Sequence, residues 1–188
     1  MSVSIEEAIL HLEEGGIVVY PTDTLWGLGC NALNEKAVKR LMKMKGKIEG
    51  GMNIVIPTIE VVKILCKVSK KDERILSENL PGPFTFIMKA RKKFPEGVCR
   101  NGRIGIRVPE NKTARKLSSQ FPIISTSANK HGMSSSRSIE EAELIFGNEI
   151  LYLKGEDPSG IQSTIVSLDN GEVEVIRKGM GYLKQMDV

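Results

Sequence analysis

The chain has 188 residues, 40% hydrophobic and 27% charged, with 27 basic against 23 acidic side chains and a net charge of +4. That size suits one packed domain, and the balance excludes collagen-like, disordered and disulfide-scaffold compositions. No apolar run reaches the roughly 18 residues that span a membrane, and the acidic start, Ser4-Ile5-Glu6-Glu7, lacks the order of a secretory signal, so a cytoplasmic chain with no membrane partner is expected.

The pattern Ser4-x-x-Glu7 predicts a capping box, followed by a helix with Ile5, Ala8, Ile9 and Leu12 on one face. Gly15-Gly16 ends it, and Ile17–Tyr20 reads as a short buried strand. Asn34 caps a second helix whose inner face carries Ala37, Val38, Leu41 and Met44. Asn53–Ile56 reads as a strand stopped by Pro57, then Thr58–Cys66 and Ser69–Asn79 as helices, the second with the capping pattern Ser69-x-x-Asp72 at its start, and Pro81-Gly82-Pro83 as a firm break. Strands follow at Phe84–Ala90 and Ile104–Val108, a helix at Asn111–Ser119, a strand at Pro122–Thr126 and a helix from Ser138 to Phe146. The remainder reads as strands at Ile150–Lys154, Ser163–Leu168 and Glu172–Arg177, the last two joined by a tight turn at Asp169-Asn170-Gly171. Helices between strands and a strand-rich end predict an α/β protein with a mixed sheet.

Three polar segments each follow or open an apolar strand. Tyr20–Gly29 runs from a strand into Pro21, two threonines flanking Asp23, and glycines that let a ligand approach the backbone. Ser125–Asn129 places hydroxyls and amides where phosphate or carboxylate can bind. Ser163-Thr164 is the third. Taken singly, each is equally well a capped or hydroxyl-rich turn. Arg107 and Arg177 end apolar strands, where an unpaired cation is costly, so both are candidates for anion recognition.

The exclusions narrow the chemistry. Cys30, Cys66 and Cys99 form no close pair, which indicates neither a disulfide framework nor a zinc site. His11 falls inside the first helix as a packing or surface residue, leaving His131 as the only other imidazole. There is no P-loop, dinucleotide fingerprint or nucleophile elbow. An enzyme of this sequence works by positioning and charge stabilisation, without a protein nucleophile.

The segments in order carry a resemblance. Tyr20–Gly29, Lys45-Gly46-Lys47, Pro81–Thr85, Ile104–Pro109, Ser125–Asn129 and Ser163–Val166 with Arg177 resemble the motif series of the YrdC-like threonylcarbamoyl-AMP synthase family, across about Ile5 to Gly181. The resemblance implies one YrdC-like domain over 1–188: an α/β fold with a twisted mixed sheet, flanked by helices, around a large positively lined groove. It implies joining of L-threonine, bicarbonate and ATP, with Mg²⁺ on the nucleotide, into threonylcarbamoyl-AMP and pyrophosphate. A tRNA threonylcarbamoyl-transfer machinery then consumes the product. By position it assigns Thr24, Arg107, Ser125 and Ser163 to L-threonine. It assigns Lys45, Lys47, Arg103, Ser127, Asn129, Ser135 and Arg177 to ATP or the adenylate, with Lys45 and Lys47 as electrostatic stabilisers.

The sequence departs from the family in three places. Lys47 replaces the arginine of a K-x-R motif, Ile48 stands where a proline usually follows, and Ile56 stands where longer members often have histidine. Two other readings remain: an RNA- or tRNA-binding module using the same basic groove, and a paralogue with a different adenylated substrate. The chain is only 5% aromatic, which disfavours base stacking.

Overall fold

A computed structural model describes residues 3–46 and 52–184. In chain order the elements are α1 (Ile5–Glu13), β1 (Val18–Tyr20), β2 (Gly27–Gly29), α2 (Glu35–Lys45), β3 (Asn53–Val55), α3 (Ile59–Leu65), α4 (Lys70–Asn79) and β4 (Phe84–Lys89). They continue with β5 (Arg103–Arg107), α5 (Lys112–Leu117), β6 (Ile123–Ser127), α6 (Ile139–Phe146), β7 (Leu151–Tyr152), β8 (Thr164–Asp169) and β9 (Glu172–Arg177).

The predicted caps form. Ser4 and Ser69 each close a capping box, with Glu7 and Asp72 as reciprocal partners, and Asn34, Asn111 and Ser138 accept from the third residue of their helices. The turn between β8 and β9 has positive φ at both Asn170 (52°) and Gly171 (86°), the twist a two-residue antiparallel hairpin needs.

Among the described residues the strands form one nine-stranded mixed sheet in the order β7-β1-β2-β6-β3-β5-β4-β8-β9. Facing residues of neighbouring strands point to the same side, so the register sorts the sheet into two faces. Ile54, Ile104, Ile106, Phe86 and Val166 turn to the main core, where α2, α3, α4 and α6 cover them. Each such fully buried side chain contributes roughly 1.5–3 kcal/mol. Ser125, Asn53, Gly105, Ile87 and Ser167 form a row on the other face.

That second face is covered only in part. α1 and α5 pack over Val18, Tyr20, Val55 and Ile123 through Ala8, Leu12, Ala114 and Leu117, making a smaller core. Beyond it the row of small and polar residues lies open as a groove. The α/β architecture and basic groove therefore match expectation.

One element differs from the sequence reading. Gly27–Gly29, read in the sequence only as part of a polar loop segment, is a strand, paired antiparallel to both β1 and β6. Glycine is a poor strand former, but a side chain cannot fit here: a Cβ on Gly29 would stand 2.3 Å from the Ile124 carbonyl oxygen. Among the described residues, no helix is long and apolar enough to cross a membrane.

Candidate active site

The open part of the groove is a cavity of about 420 Å³. Thr24, Lys45, Arg107, Ser125, Ser127, Asn129, Ser163 and Arg177 all contribute to its wall. The sequence thus marked residues from six separate segments that the fold brings to one place. Its wall contains no Asp or Glu among the described residues, so an anion meets no like charge there.

At one end the β1–β2 loop builds a hydroxyl pair. Thr22 Oγ1 donates to the Leu25 carbonyl at 2.7 Å and accepts from the Thr24 amide at 3.1 Å, which folds the loop onto itself. Thr22 has one hydroxyl proton, so Thr24 Oγ1, 3.1 Å away, is the donor between the two hydroxyls. Thr24 also accepts from Arg107 Nη1 at 2.8 Å, and one lone pair stays open to a ligand.

Arg107 ends β5 on the groove face and is 6% exposed. Its Nη2 meets Asp23 Oδ1 at 2.9 Å in an ion pair buried on both sides. Burial pushes the Asp23 carboxyl above its usual range, and the Arg107 charge pulls against that. Asp23 stands outside the cavity wall, so it holds the guanidinium from behind. Beside this pair, Ser163 shares a 2.9 Å hydrogen bond with Thr85, and Arg177 Nη2 donates to the Ser163 carbonyl at 2.8 Å. Partial burial, and then the nearby Arg107 charge, lowers the Arg177 pKa. Two cations that feel each other across a cavity whose described wall carries no carboxylate form a site for an anion.

At the other end Lys45, the last residue of α2, is 8% exposed. Its Nζ donates to Ser127 O at 2.6 Å, Asn129 Oδ1 at 2.9 Å and Asn129 O at 3.1 Å. All these acceptors are neutral. Burial therefore goes uncompensated by charge and brings the Lys45 pKa down to about 8.

Two expected residues, Arg103 and Ser135, lie outside this wall. Arg103 is four residues before Arg107 on the same strand, roughly 13 Å along it, and does not line the cavity. Its guanidinium is held by Ile87 O at 2.8 Å, Ser167 Oγ at 3.0 Å and Asp169 Oδ2 at 3.2 Å. Ser135 lines an adjoining cavity of about 470 Å³ that shares Leu25, Trp26 and Gln162 with the first. Lys47 and Ile48 lie outside the described residues.

The sequence reading also missed wall residues. Asn53 faces Gly105 across β3 and β5, and a Cβ on Gly105 would stand 2.1 Å from Asn53 Oδ1. Ile87, Ile165 and Ile176 give one side an apolar lining, where alternation along the strands was the available signal. Gln162 and His131 enter the wall from loops that carry no pattern of their own.

A family model described as "Telomere recombination", covering the Sua5, YciO and YrdC proteins, matches residues 11–179. The chain belongs to the Sua5/YciO/YrdC family. It is similar to the threonylcarbamoyl-AMP synthase of Coxiella burnetii, with 34% identity over 152 residues, 78% of this chain and 82% of that one. Its structure resembles that of Pyrococcus abyssi Sua5 complexed with L-threonine, with a TM-score of 0.84 and 28% identity. That match covers 95% of this chain but only 56% of the longer Pyrococcus protein. Escherichia coli YciO is similar over 96% of this chain and 91% of its own, with a TM-score of 0.86 and 27% identity.

Proposed function

We propose that the protein is an L-threonylcarbamoyladenylate synthase, making threonylcarbamoyl-AMP and pyrophosphate from L-threonine, bicarbonate and MgATP. The observation that carries this reading is the cavity itself. It holds an arginine–threonine pair at one end, a buried lysine on a serine–asparagine cradle at the other and, among the described residues, no acidic side chain between them. Membership of a family that includes named synthases supports it.

In this reading the threonine carboxylate pairs with Arg107, and its hydroxyl donates to the open lone pair of Thr24, with Ser125 and Ser163 flanking. Its neutral amine attacks the bicarbonate carbon, and a carbamate forms as water leaves, carrying off the amine proton. A carbamate oxygen then attacks the α-phosphorus of ATP. The bond from that phosphorus to the bridging oxygen breaks, and the electron pair leaves with pyrophosphate. Both reactants are anionic, so fixed cations lower the barrier by stabilising the charge that gathers between them. Lys45, with Ser127 and Asn129, meets the phosphates; Arg177 stands on the nucleotide side; and Ile87, Ile165 and Ile176 offer the adenine an apolar wall. Mg²⁺ would enter on the phosphate oxygens, as part of the MgATP substrate.

Lys47 and Ser135 complete the phosphate contacts in this proposal. Arg103, engaged by Asp169, supports the floor from outside the cavity. The product passes to a tRNA-modifying transfer system.

The test is pyrophosphate release from MgATP. Release that requires both L-threonine and bicarbonate supports the proposal. RNA binding without such release would favour the binding-module reading, and release with another amino acid would favour a paralogue.

A further inference from the structure

The cavity wall contains one imidazole, and neither the motif series nor the proposed chemistry uses it. His131 sits two residues after Asn129, on a turn that the fold builds firmly. Its backbone N–H donates to the Lys45 carbonyl at 2.9 Å. Asn129 Nδ2 ties the same turn by donating to Lys130 O at 2.9 Å and Met133 O at 2.7 Å. Gly132 has φ +80°, which closes the turn in a conformation side chains disfavour.

His131 is thus fixed to the C-terminus of α2, beside the cradle of Lys45. Among the described residues, the other cation-capable side chains of the wall each have a protein partner: Arg107 with Asp23 and Thr24, Lys45 with Ser127 and Asn129, Arg177 with Ser163. Among the described residues the His131 side chain makes no hydrogen bond, and it is exposed at the cavity wall. An imidazole so placed can give an N–H donor to an anion.

We infer that His131 binds the β- and γ-phosphates of ATP and stabilises the departing pyrophosphate. This rests on the proposed adenylate-forming reaction. The placement follows from the two ends of the cavity: threonine occupies the Arg107 end, the α-phosphate must meet its carbamate, and the leaving group extends away from Arg107, past Lys45, to His131. As the bond to the α-phosphorus breaks, charge moves onto the pyrophosphate oxygens, and a donor there stabilises the transition state more than the ground state.

The experiment separates the two halves of the nucleotide. Calorimetry measures Mg-pyrophosphate and AMP binding to wild type, His131→Ala, His131→Gln and His131→Lys. Pyrophosphate affinity is expected to fall about tenfold in His131→Ala, the scale of one hydrogen bond to a charged group. His131→Gln should retain part of it and His131→Lys most, while AMP affinity stays within about twofold in all. The chain has only two histidines, so NMR of the imidazoles gives an independent reading. The His131 signal should move with pyrophosphate and not with AMP, and His11, outside this wall, should stay still. Equal pyrophosphate affinity in wild type and His131→Ala, or a still His131 signal under bound pyrophosphate, overturns the inference. If wild type binds AMP but not pyrophosphate, only the His131 assignment falls. If it binds neither, the adenylate-forming reading falls as well.

Discussion

Asp23 and Arg107 meet through a single bond, Oδ1 to Nη2 at 2.9 Å, although Asp23 Oδ2 and Arg107 Nε are also buried and have no partner. A carboxylate and a guanidinium can pair through two parallel bonds; this one pairs through one. The ion pair is held short of its full strength, and the guanidinium keeps N–H groups for a ligand. Arg107→Ala should therefore do two separable things. It should weaken L-threonine binding by about 2–5 kcal/mol, read by calorimetry. It should also strand a buried carboxylate and lower stability by about 3–5 kcal/mol, read by denaturant melts. Adding Asp23→Asn should restore much of the stability and none of the binding. Undiminished threonine affinity in the single variant would remove Arg107 from the site.

Lys45 gives the pH dependence. Its charged form is disfavoured by burial, so in the free protein it loses its proton as pH rises through about 8, below the usual lysine value of 10.5. A charged Lys45 is the form that meets phosphate. Hence kcat/KM for ATP, which reports the free enzyme, should decline above pH 8. Phosphate binding favours the charged form, so ATP binding above that pH should be accompanied by proton uptake, measurable in buffers of differing ionisation enthalpy. Lys45→Arg, which stays charged, should flatten the decline. A wild-type profile level to pH 9.5 would show that this charge is not needed.

Gly29 tests the packing beneath the site. An alanine Cβ there would stand 2.3 Å from the Ile124 carbonyl and 2.9 Å from both Ile123 Cγ2 and Tyr20 Cε1. Backbone cannot step aside as a side-chain tip can, so β2 and β6 must separate. Gly29→Ala should cost about 1–3 kcal/mol, which for a chain of this length lowers Tm by roughly 2–4 °C per kcal/mol. Gly27→Ala, whose nearest neighbour would be Tyr20 Cζ at 3.1 Å, should cost less. Equal melting temperatures for both variants and wild type would contradict the strand assignment of Gly27–Gly29.

Lys47 is tested on the sequence match alone. Lys47→Arg, which restores the family residue, should be tolerated. Lys47→Ala should reduce turnover by about 10²–10³-fold, the scale of losing one electrostatic contact to the transition state. Turnover of Lys47→Ala equal to wild type would take the residue out of the site.

What the sequence could tell depended on how local the cause was. The boxes at Ser4 and Ser69 and the Asn170-Gly171 turn are decided within a few residues, and all form where expected. Strand alternation in Ile104-Gly105-Ile106 likewise separates core from groove. β2 was not legible, because Gly27-Leu28-Gly29 has little strand preference of its own and becomes a strand through what flanks it. Arg103 and Arg107 look alike in sequence and share a strand face. Only the arrival of Asp169, from a strand two places away, engages one of them and leaves the other to the cavity. His131 is similar: its place in the wall comes from a bond to the end of α2, which no nearby residue announces.

The central place of β6 has a consequence for assembly. Without Ile123–Ser127 the sheet is two disconnected pieces, β7-β1-β2 on one side and β3-β5-β4-β8-β9 on the other. The strand that joins them also carries Ser125 and Ser127 to the site. Its pairings are with residues far back in the chain, Gly27 and Asn53 among them, and such distant contacts form slowly. A nascent chain stopped before Ile123 has neither a continuous sheet nor a complete cavity, so no substrate can select or stabilise a half-built form. Recovery of ligand binding during refolding should follow the closing of this seam and lag behind the recovery of helix.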